Sequence, residues 1–350
     1  MSDVATIDDR QRRARLGLRH RLSPTTRSND ALEVATSLVA LHSSDPVTVY
    51  LSVTARSHDG SFDPLETALY ERRTVVRHHA MRRTIWVMPL DMAVDAHAAS
   101  TQKIAARERA RTRKAAGWTT EFMDRSIDEL VELIAEQGPL TTREIGLLRP
   151  ALTERVLLGA GTRNPASIAT HTRLLLHAGF EARIVRGRPS GSWISSEYAW
   201  HETVRWLGRP IVDGDARKAS AAVVRRWLAA FGPGTETDLR WWTGWTATQV
   251  RHALDDIGAV QVMLSDGAMG HVLASDLDDI DESEPWVALL PGLDPTVMGW
   301  KERDWYLDRA TASRVTDRNG NIGPTIWADG QVVGGWVQRP DGTIATEINR

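Results

Sequence analysis

The sequence predicts an α+β fold in which helical units each end in a strand pair and a small β-barrel closes the chain. A short phrase occurs twice, as Gly-Pro-Leu-Thr-Thr-Arg-Glu-Ile at 138–145 and as Gly-Pro-Gly-Thr-Glu-Thr-Asp-Leu at 232–239. In both copies Gly-Pro breaks one helix, and a Thr with a carboxylate three residues later opens the next as a capping box. A hydrophobic strand pair follows each copy. Helix, break, capped helix, helix and hairpin is the order of a winged helix, and its repetition indicates tandem nucleic-acid-binding modules.

The first 90 residues predict a divergent unit of the same kind. Residues 9–22 read as a basic helix, a capped second helix follows, and 82–89 read as an apolar strand. We therefore interpret 9–90 as a first winged helix, and 91–120 as a helix that connects it to the next unit.

Two further winged helices and a terminal β-region are predicted after that connection. The second unit spans 121–218, and the Arg-, Gly- and Pro-rich stretch at 182–194 is typical of a wing. The third unit spans 219–275. From 285 to 350 the pattern changes to short strands separated by Gly, Asp and Pro, with Asp-Gly turns, which predicts the β-barrel.

Composition excludes several classes of protein and site. The 350 residues contain no Cys, which excludes disulfides, a thiol nucleophile and a Cys-ligated zinc. The formal net charge is −2, but it is unevenly distributed, because 103–114 is strongly basic and 276–284 is strongly acidic. The first residues lack an apolar signal core, and no apolar run approaches the roughly 20 residues of a membrane span. We expect a cytoplasmic, nucleoid-associated protein.

A series of phrases along most of the chain carries a family resemblance. They lie at 76–84, in the two Gly-Pro units, and at 289–295, 317–321 and 333–336. Together they resemble the AlkZ-like family of winged-helix DNA glycosylases. The resemblance implies three tandem winged helices and a β-barrel in a C-shaped arrangement around DNA. Its characterised members excise bulky N-alkylated purines, including cross-links made by genotoxic natural products.

The same resemblance locates a catalytic motif. The family signature is Gln-x-Gln within Leu-Gln-Ala-Gln-Asp-Pro, and residues 41–46 here read Leu-His-Ser-Ser-Asp-Pro. His42 therefore replaces the first Gln and Ser44 replaces the second, which is a departure from the family pattern. His42, Ser44 and Asp45 are the candidate catalytic residues. The competing interpretation is an ordinary turn at the end of a helix, with the Asp side chain bonded to the backbone.

Excision of an alkylated purine requires little acid catalysis from these side chains. The adduct carries a positive charge and leaves as a neutral base, so the enzyme mainly has to hold a water and stabilise a cationic sugar. His42, with a pKa expected near neutrality, could act as a base or orient the water. Ser44 could hold the same water, and Asp45 could offer negative charge. A lone His beside Asp lacks the ligands of a zinc site, and we expect no metal or cofactor.

Candidate DNA contacts come from two parts of the chain. The resemblance places Arg77 and Arg82 near the DNA channel. In the predicted wing, Arg186, Arg188 and Trp193 could probe a groove, although Trp193 could equally pack within the hairpin. The basic stretch 103–114 is either a solvated connector or a phosphate surface.

These observations favour a monofunctional glycosylase that needs no cofactor. It would excise bulky N-alkylated purines, such as N7-alkylguanine adducts, from double-stranded DNA, in base excision repair or self-resistance. Three modules in one chain already span a duplex, so we expect a monomer. The alternatives are a non-catalytic winged-helix DNA-binding protein (a regulator or damage binder) and a resistance protein that sequesters a drug.

Overall fold

The computed structural model describes residues 4–162 and 165–348, and its first part is built around a small antiparallel sheet. The elements of this part are β1 (Thr6–Ile7), α1 (Asp9–Arg19), α2 (Ala31–Ser37), β2 (Leu41–His42), α3 (Pro46–Thr54), α4 (Asp63–Glu66) with the helical turn Thr67–Glu71, β3 (Val75–His79), β4 (Ile85–Pro89), α5 (Leu90–Ala96), the turn His97–Thr101 and α6 (Gln102–Ala116). The sheet has the order β2-β4-β3. Helix α5, the turn after it and α6 form one helical run through most of the predicted connection.

The second part contains a capped helix and a three-stranded sheet. Its elements are α7 (Thr120–Gln137), β5 (Leu140–Thr141), α8 (Thr142–Leu148), β6 (Arg155–Leu158), β7 (Ala166–Ala169), α9 (Thr170–Phe180), β8 (Ile184–Pro189), β9 (Tyr198–Glu202) and α10 (Thr203–Leu207). The predicted capping box at the start of α8 is confirmed, because Thr141 and Glu144 exchange side-chain and backbone hydrogen bonds.

The wing differs from its prediction in where the returning strand begins. We expected both strands within 182–194, but β9 starts at Tyr198 and 190–197 form the loop. Pairing ends at Pro189 opposite Tyr198, and the Ser190 N–H donates to the Glu197 carbonyl at 2.7 Å. Pro189 has no N–H to donate to the strand ladder, which favours the end of β8 at this position.

The third part repeats the capped helix and also receives a strand from the first. It consists of α11 (Ala216–Phe231), β10 (Gly234–Thr235), α12 (Glu236–Thr243), α13 (Ala247–Asp256), β11 (Val260–Leu264) and β12 (Met269–Val272). The second predicted capping box, between Thr235 and Asp238, is confirmed. Strand β1 pairs in parallel with β11, so the sheet order is β1-β11-β12-β10.

The terminal β-region is an open sheet, which corrects the predicted β-barrel. It contains β13 (Val287–Leu290), α14 (Arg309–Val315), β14 (Thr325–Ala328), β15 (Gln331–Gln338) and β16 (Ile344–Ile348). The strands pair in chain order as an antiparallel sheet, and within the described residues β13 and β16 do not pair to close it. Alternate residues of β13 are buried and exposed, so one face packs on the molecule and the other meets solvent. Four strands are also too few to close around a filled interior.

One core joins the first, third and terminal parts. Trp86 of β4, Trp227 and Trp242 of the third part, and Trp300 and Trp327 of the terminal part belong to the same buried cluster. The second part has a cluster of its own, centred on α7, α9 and Trp200. Strand β2 thus lies in a sheet with a shared core on one face. No helix within 4–162 and 165–348 is both long and apolar enough to span a membrane.

Candidate functional site

Strand β2 positions His42 at the edge of the first sheet. His42 lies opposite Trp86 of β4, which in turn lies opposite His78 of β3. Directly opposed residues of antiparallel strands share a face, so these three side chains point to the same side of the sheet. The His42 and Trp86 rings meet edge to face, with centroids 5.1 Å apart. His42 is 7% exposed, and its Nδ1 atom is buried without a hydrogen-bond partner among the described residues.

This environment keeps the imidazole neutral. Burial, followed by the positive charge of Arg82, lowers the pKa of His42 to about 4. We had expected a value near neutrality, and the difference arises because Trp86 and Arg82 come from a strand and a turn far along the chain. At pH 7 the ring therefore has one N–H and one lone pair and is suited to hold a water rather than to take up a proton.

Ser44 and Asp45 lie where β2 gives way to α3. Both side chains are exposed. An Asp45 carboxylate oxygen accepts a hydrogen bond from the Val47 N–H at 3.0 Å and caps α3, which begins at Pro46. The carboxylate thus has the turn-forming contact of the competing interpretation, while its exposure leaves it open to solvent.

A buried ion pair between Arg56, just after α3, and Asp294 of the terminal part holds α3 in place. The Arg56 guanidinium donates to both oxygens of Asp294, at 2.9 and 2.7 Å, and Ser52 donates to the same carboxylate at 2.7 Å. Thr48, in the first turn of α3, donates to the Gly292 carbonyl at 2.8 Å. Burial alone raises the pKa of Asp294, but Arg56 and the hydrogen bonds bring it below its usual value. These contacts fix the position of the segment that carries Ser44 and Asp45.

Arg82 lies in the turn between β3 and β4, on the side towards the third part. Its guanidinium is 4.5 Å from the ring centroid of Trp241, and that of Arg303 lies 5.0 Å from the same ring. Arg82 and Arg83 both have positive φ angles, 55° and 66°. The sequence gives no signal for Arg303 or Trp241 as neighbours of the site, because they become close only in the folded chain.

Arg77 faces the opposite side of the sheet from His42. It is buried, donates to the Ser43 hydroxyl at 3.2 Å and to the Tyr70 hydroxyl at 3.0 Å, and has one further terminal nitrogen without a partner among the described residues. Its position is therefore interior, with contacts to the residue that separates His42 from Ser44.

Two of the three wing candidates, Arg188 and Trp193, contact the first part, whereas Arg186 packs against rings of its own hairpin. Arg186 lies over the rings of Tyr198 and Trp200, with centroid distances of 4.4 and 5.5 Å. Arg188 is paired with Glu66 and lies 4.6 Å from the Tyr70 ring centroid. Trp193 contacts two rings of the first part, those of Tyr50 and Phe62, at centroid distances of 5.2 and 4.8 Å.

The candidate residues therefore fall into two groups on either side of the first sheet. His42 and Arg82 lie on one side, whereas Arg77 and the wing residues lie on the other. Burial lowers the pKa of Arg186, and the charge of Arg77 adds to that effect, which places these two cations close together. The described ranges contain no group of three or more His, Asp or Glu side chains arranged to hold a metal ion.

Comparisons with known proteins agree with this architecture. A sequence model described as "DNA glycosylase AlkZ-like" matches residues 35–348. The solved structure of Streptomyces sahachiroi DNA glycosylase AlkZ is similar in fold, with a TM-score of 0.76 and 19% sequence identity, over 97% of this chain and 90% of that chain. A comparison with curated protein sequences found no significant match. The matched range covers nearly all of the chain and includes the segment with His42, and we conclude that the chain belongs to the AlkZ-like DNA glycosylase family.

Proposed function

We propose that the protein is a monofunctional DNA glycosylase that excises bulky N-alkylated purines, such as N7-alkylguanine adducts, from duplex DNA. The observation that carries the proposal is His42, which is neutral, nearly buried and has an unpartnered ring nitrogen at the family's first motif position. A fixed hydrogen-bonding group of this kind can hold a water without taking up a proton at pH 7.

The reaction follows from the charge of the adduct. The water oxygen forms a bond to C1′ of the sugar while the bond from C1′ to the purine nitrogen breaks. The electron pair of that bond neutralises the cationic purine, which leaves as a free base. The water proton passes to solvent, and an abasic site remains. In this scheme His42 and Ser44 hold the water, and Asp45 stabilises the cationic sugar.

The scheme needs no amine nucleophile. A glycosylase that also cuts the strand would form a Schiff base through a lysine. The lysines of this chain all lie outside the β2–α3 segment, at Lys103, Lys114, Lys218 and Lys301.

The DNA would be held by three winged helices in a C-shaped arrangement, at 9–90, 121–218 and 219–275. The capped helices α8 and α12, each followed by a further helix and a strand pair, support this assignment. Arg77, Arg82, Arg186, Arg188 and Trp193 are the proposed DNA contacts. Three modules in one chain favour a monomer. The protein would act on nucleoid DNA in the cytoplasm, either in base excision repair or in self-resistance.

One observation favours a different function. His and Ser occupy the two positions at which the family signature has Gln. A chain that kept the fold but lost the catalytic pair would be a non-catalytic DNA-binding protein, such as a regulator or damage binder.

A single-turnover assay separates the two functions. The substrate is a duplex with one bulky nitrogen-mustard adduct at guanine N7, and an undamaged duplex is the control. We expect release of the alkylated base and strand breaks only after alkaline treatment. Breaks without alkali, together with borohydride trapping of the protein, would point to a lyase. Tight binding of the damaged duplex without base release would establish the binder instead.

A further inference from the structure

A cleft of about 700 Å³ opens between α6 and the start of α13, and the β3–β4 turn forms one end of it. It lies on the side of the first sheet that carries His42, away from the wing. The polar side chains that matter for its chemistry are Arg82, Arg83, Lys103, Arg107, Thr246 and Thr248.

The cleft holds positive charge that the protein leaves uncompensated. Lys103 and Arg107 are exposed, lie one helical turn apart on α6, and have no acidic partner in the described part of the chain. The carboxylate of Glu108, which also lines the cleft, is already engaged by Arg83 at 2.8 Å and Arg173 at 3.0 Å. Two cations without counterions in a concave surface produce a strong local attraction for anions.

The opposite wall presents a helix N-terminus. Helix α13 has ten residues, and the Thr246 hydroxyl caps it by accepting from the Gln249 N–H at 3.2 Å. The other N–H groups of the first helical turn have no partner within the helix. Thr246 and Thr248, at this N-terminus, line the cleft together with the two cations of α6. This combination matches the oxygen atoms of a phosphate group.

The end of the cleft nearest His42 is held in a strained conformation. Arg82 and Arg83 are consecutive residues in the left-handed region, which non-glycine residues rarely adopt. The turn packs tightly on the third part, where a Cβ atom added to Gly244 would lie 3.0 Å from the Arg82 side chain. The Arg82 Nε atom is buried without a partner among the described residues. Strain of this kind persists where the surrounding structure imposes it and is common at binding sites.

We propose that this cleft binds backbone phosphates of duplex DNA next to the damaged nucleotide. Lys103 and Arg107 contact the phosphates from α6, the N-terminus of α13 contacts them from the other wall, and Arg82 connects the bound strand with His42. The ligand is the sugar–phosphate backbone, so the contact is independent of base sequence. The proposal rests on the proposed function for its ligand, and it assigns the basic stretch 103–114 as a phosphate surface at two defined side chains.

The test is the salt dependence of binding to an undamaged duplex, measured by fluorescence anisotropy. The variant is Lys103→Ala/Arg107→Ala. Each lost phosphate contact reduces the slope of log K against log salt by about 0.9, so the double variant should lose about 1.8 from the slope and at least about tenfold in affinity at low salt. The matched control is Arg125→Ala/Arg225→Ala, which removes two exposed cations outside the cleft and should keep the parent slope. All four side chains are exposed, so both variants should fold.

The outcomes separate the cleft from the proposed function. Parent-like binding of the double variant would overturn the cleft proposal, even if the parent releases alkylated bases. Loss of slope confined to the double variant would support the cleft, even if no base is released and the glycosylase proposal fails. Equal losses in the double variant and the control would show only a general charge effect and would overturn the assignment.

Discussion

Trp86 and Arg82 hold His42 neutral, and this defines what His42 can contribute. A neutral imidazole can accept a hydrogen bond from the attacking water, but it cannot do so once it is protonated. The pKa of about 4 therefore predicts a His42 contribution that is constant from pH 6 to 8 and falls as the pH approaches 4.

His42→Ala should slow excision by about 10²-fold or more, because the water that the ring holds is then misplaced, and a misplacement of about 1 Å can cost that much. Duplex affinity should stay near that of the parent, since the phosphate contacts lie elsewhere. Single-turnover rates on the nitrogen-mustard duplex and anisotropy on the same duplex check both parts. A folded His42→Ala protein that excises at the parent rate would mean that the residue is not in the site.

Asp45→Asn provides the matched control at the neighbouring position. Asn caps helices about as well as Asp, so stability should be unchanged while the charge is lost. We expect a smaller effect than for His42→Ala, and Ser44→Ala should also cost less, because a second water can replace the hydroxyl. A larger loss in Asp45→Asn than in His42→Ala would transfer the main catalytic role to the carboxylate.

His42 could be proposed as a candidate from the sequence because its motif is local, with Leu41 before it and Asp45-Pro46 after it. Its low pKa could not be predicted in the same way. That property depends on Arg82, some forty positions along the chain, and on a strand pairing that brings Trp86 beside the ring.

The two capping boxes offer a comparison between equivalent helices in different surroundings. Thr141 starts α8 near the surface, whereas Thr235 starts α12 in a buried setting. Asp238 of the second box also accepts from the backbone N–H groups of Lys301 and Glu302, at 2.8 and 3.0 Å. Thr141→Ala should cost about 0.5–2 kcal/mol, and Thr235→Ala should cost more. Chemical denaturation measures both, and equal losses would show that the burial of the second box adds nothing to the cost of losing its Thr.

The ion pair between Arg56 and Asp294 predicts that removing one partner destabilises the protein more than replacing both. Asp294→Ala leaves the guanidinium buried without a counterion, and such losses cost about 3–5 kcal/mol. Replacing both partners, as in Arg56→Met/Asp294→Leu, should cost less than the single change, because no charge is stranded. Chemical denaturation compares them, and a double variant less stable than the single one would contradict this explanation.

Elements defined by local signals could be predicted from the sequence. The capping boxes, the Asp-Gly turn at Asp329 and the helical run after β4 all depend on residues within a few positions. The length of the wing loop and the openness of the terminal sheet could not. Trp193 packs against Tyr50 and Phe62 from another part of the chain, and no local pattern marks those contacts.

Across the molecule, buried histidines link stability to pH. Burial is the main cause that lowers the pKa of His20, His79 and His177 to about 3 and that of His42 to about 4. These rings stay neutral in the folded protein but bind protons in the unfolded chain below about pH 6.5. The free energy of unfolding therefore does not depend on these rings above about pH 6.5. It decreases as the pH falls below that value, by up to about 1.4 kcal/mol per pH unit for each ring.

Thermal unfolding at pH 7.5, 6.5 and 5 measures this effect. The Tm should be nearly constant between the first two values and clearly lower at pH 5, where carboxylates of the unfolded chain are still mostly ionised. A Tm at pH 5 equal to that at pH 7.5 would show that the four rings are not held neutral.

The pairing of β1 with β11 has a consequence for synthesis. Thr6 lies opposite Met263, so the first strand of the chain has no partner until the ribosome has made the third part. At about 5–20 residues per second, roughly 10 to 50 seconds pass between the two. During that time the start of the chain must remain unpaired or occupied by a chaperone. The sheet of β1, β11, β12 and β10 can therefore be completed only after most of the polypeptide has been made.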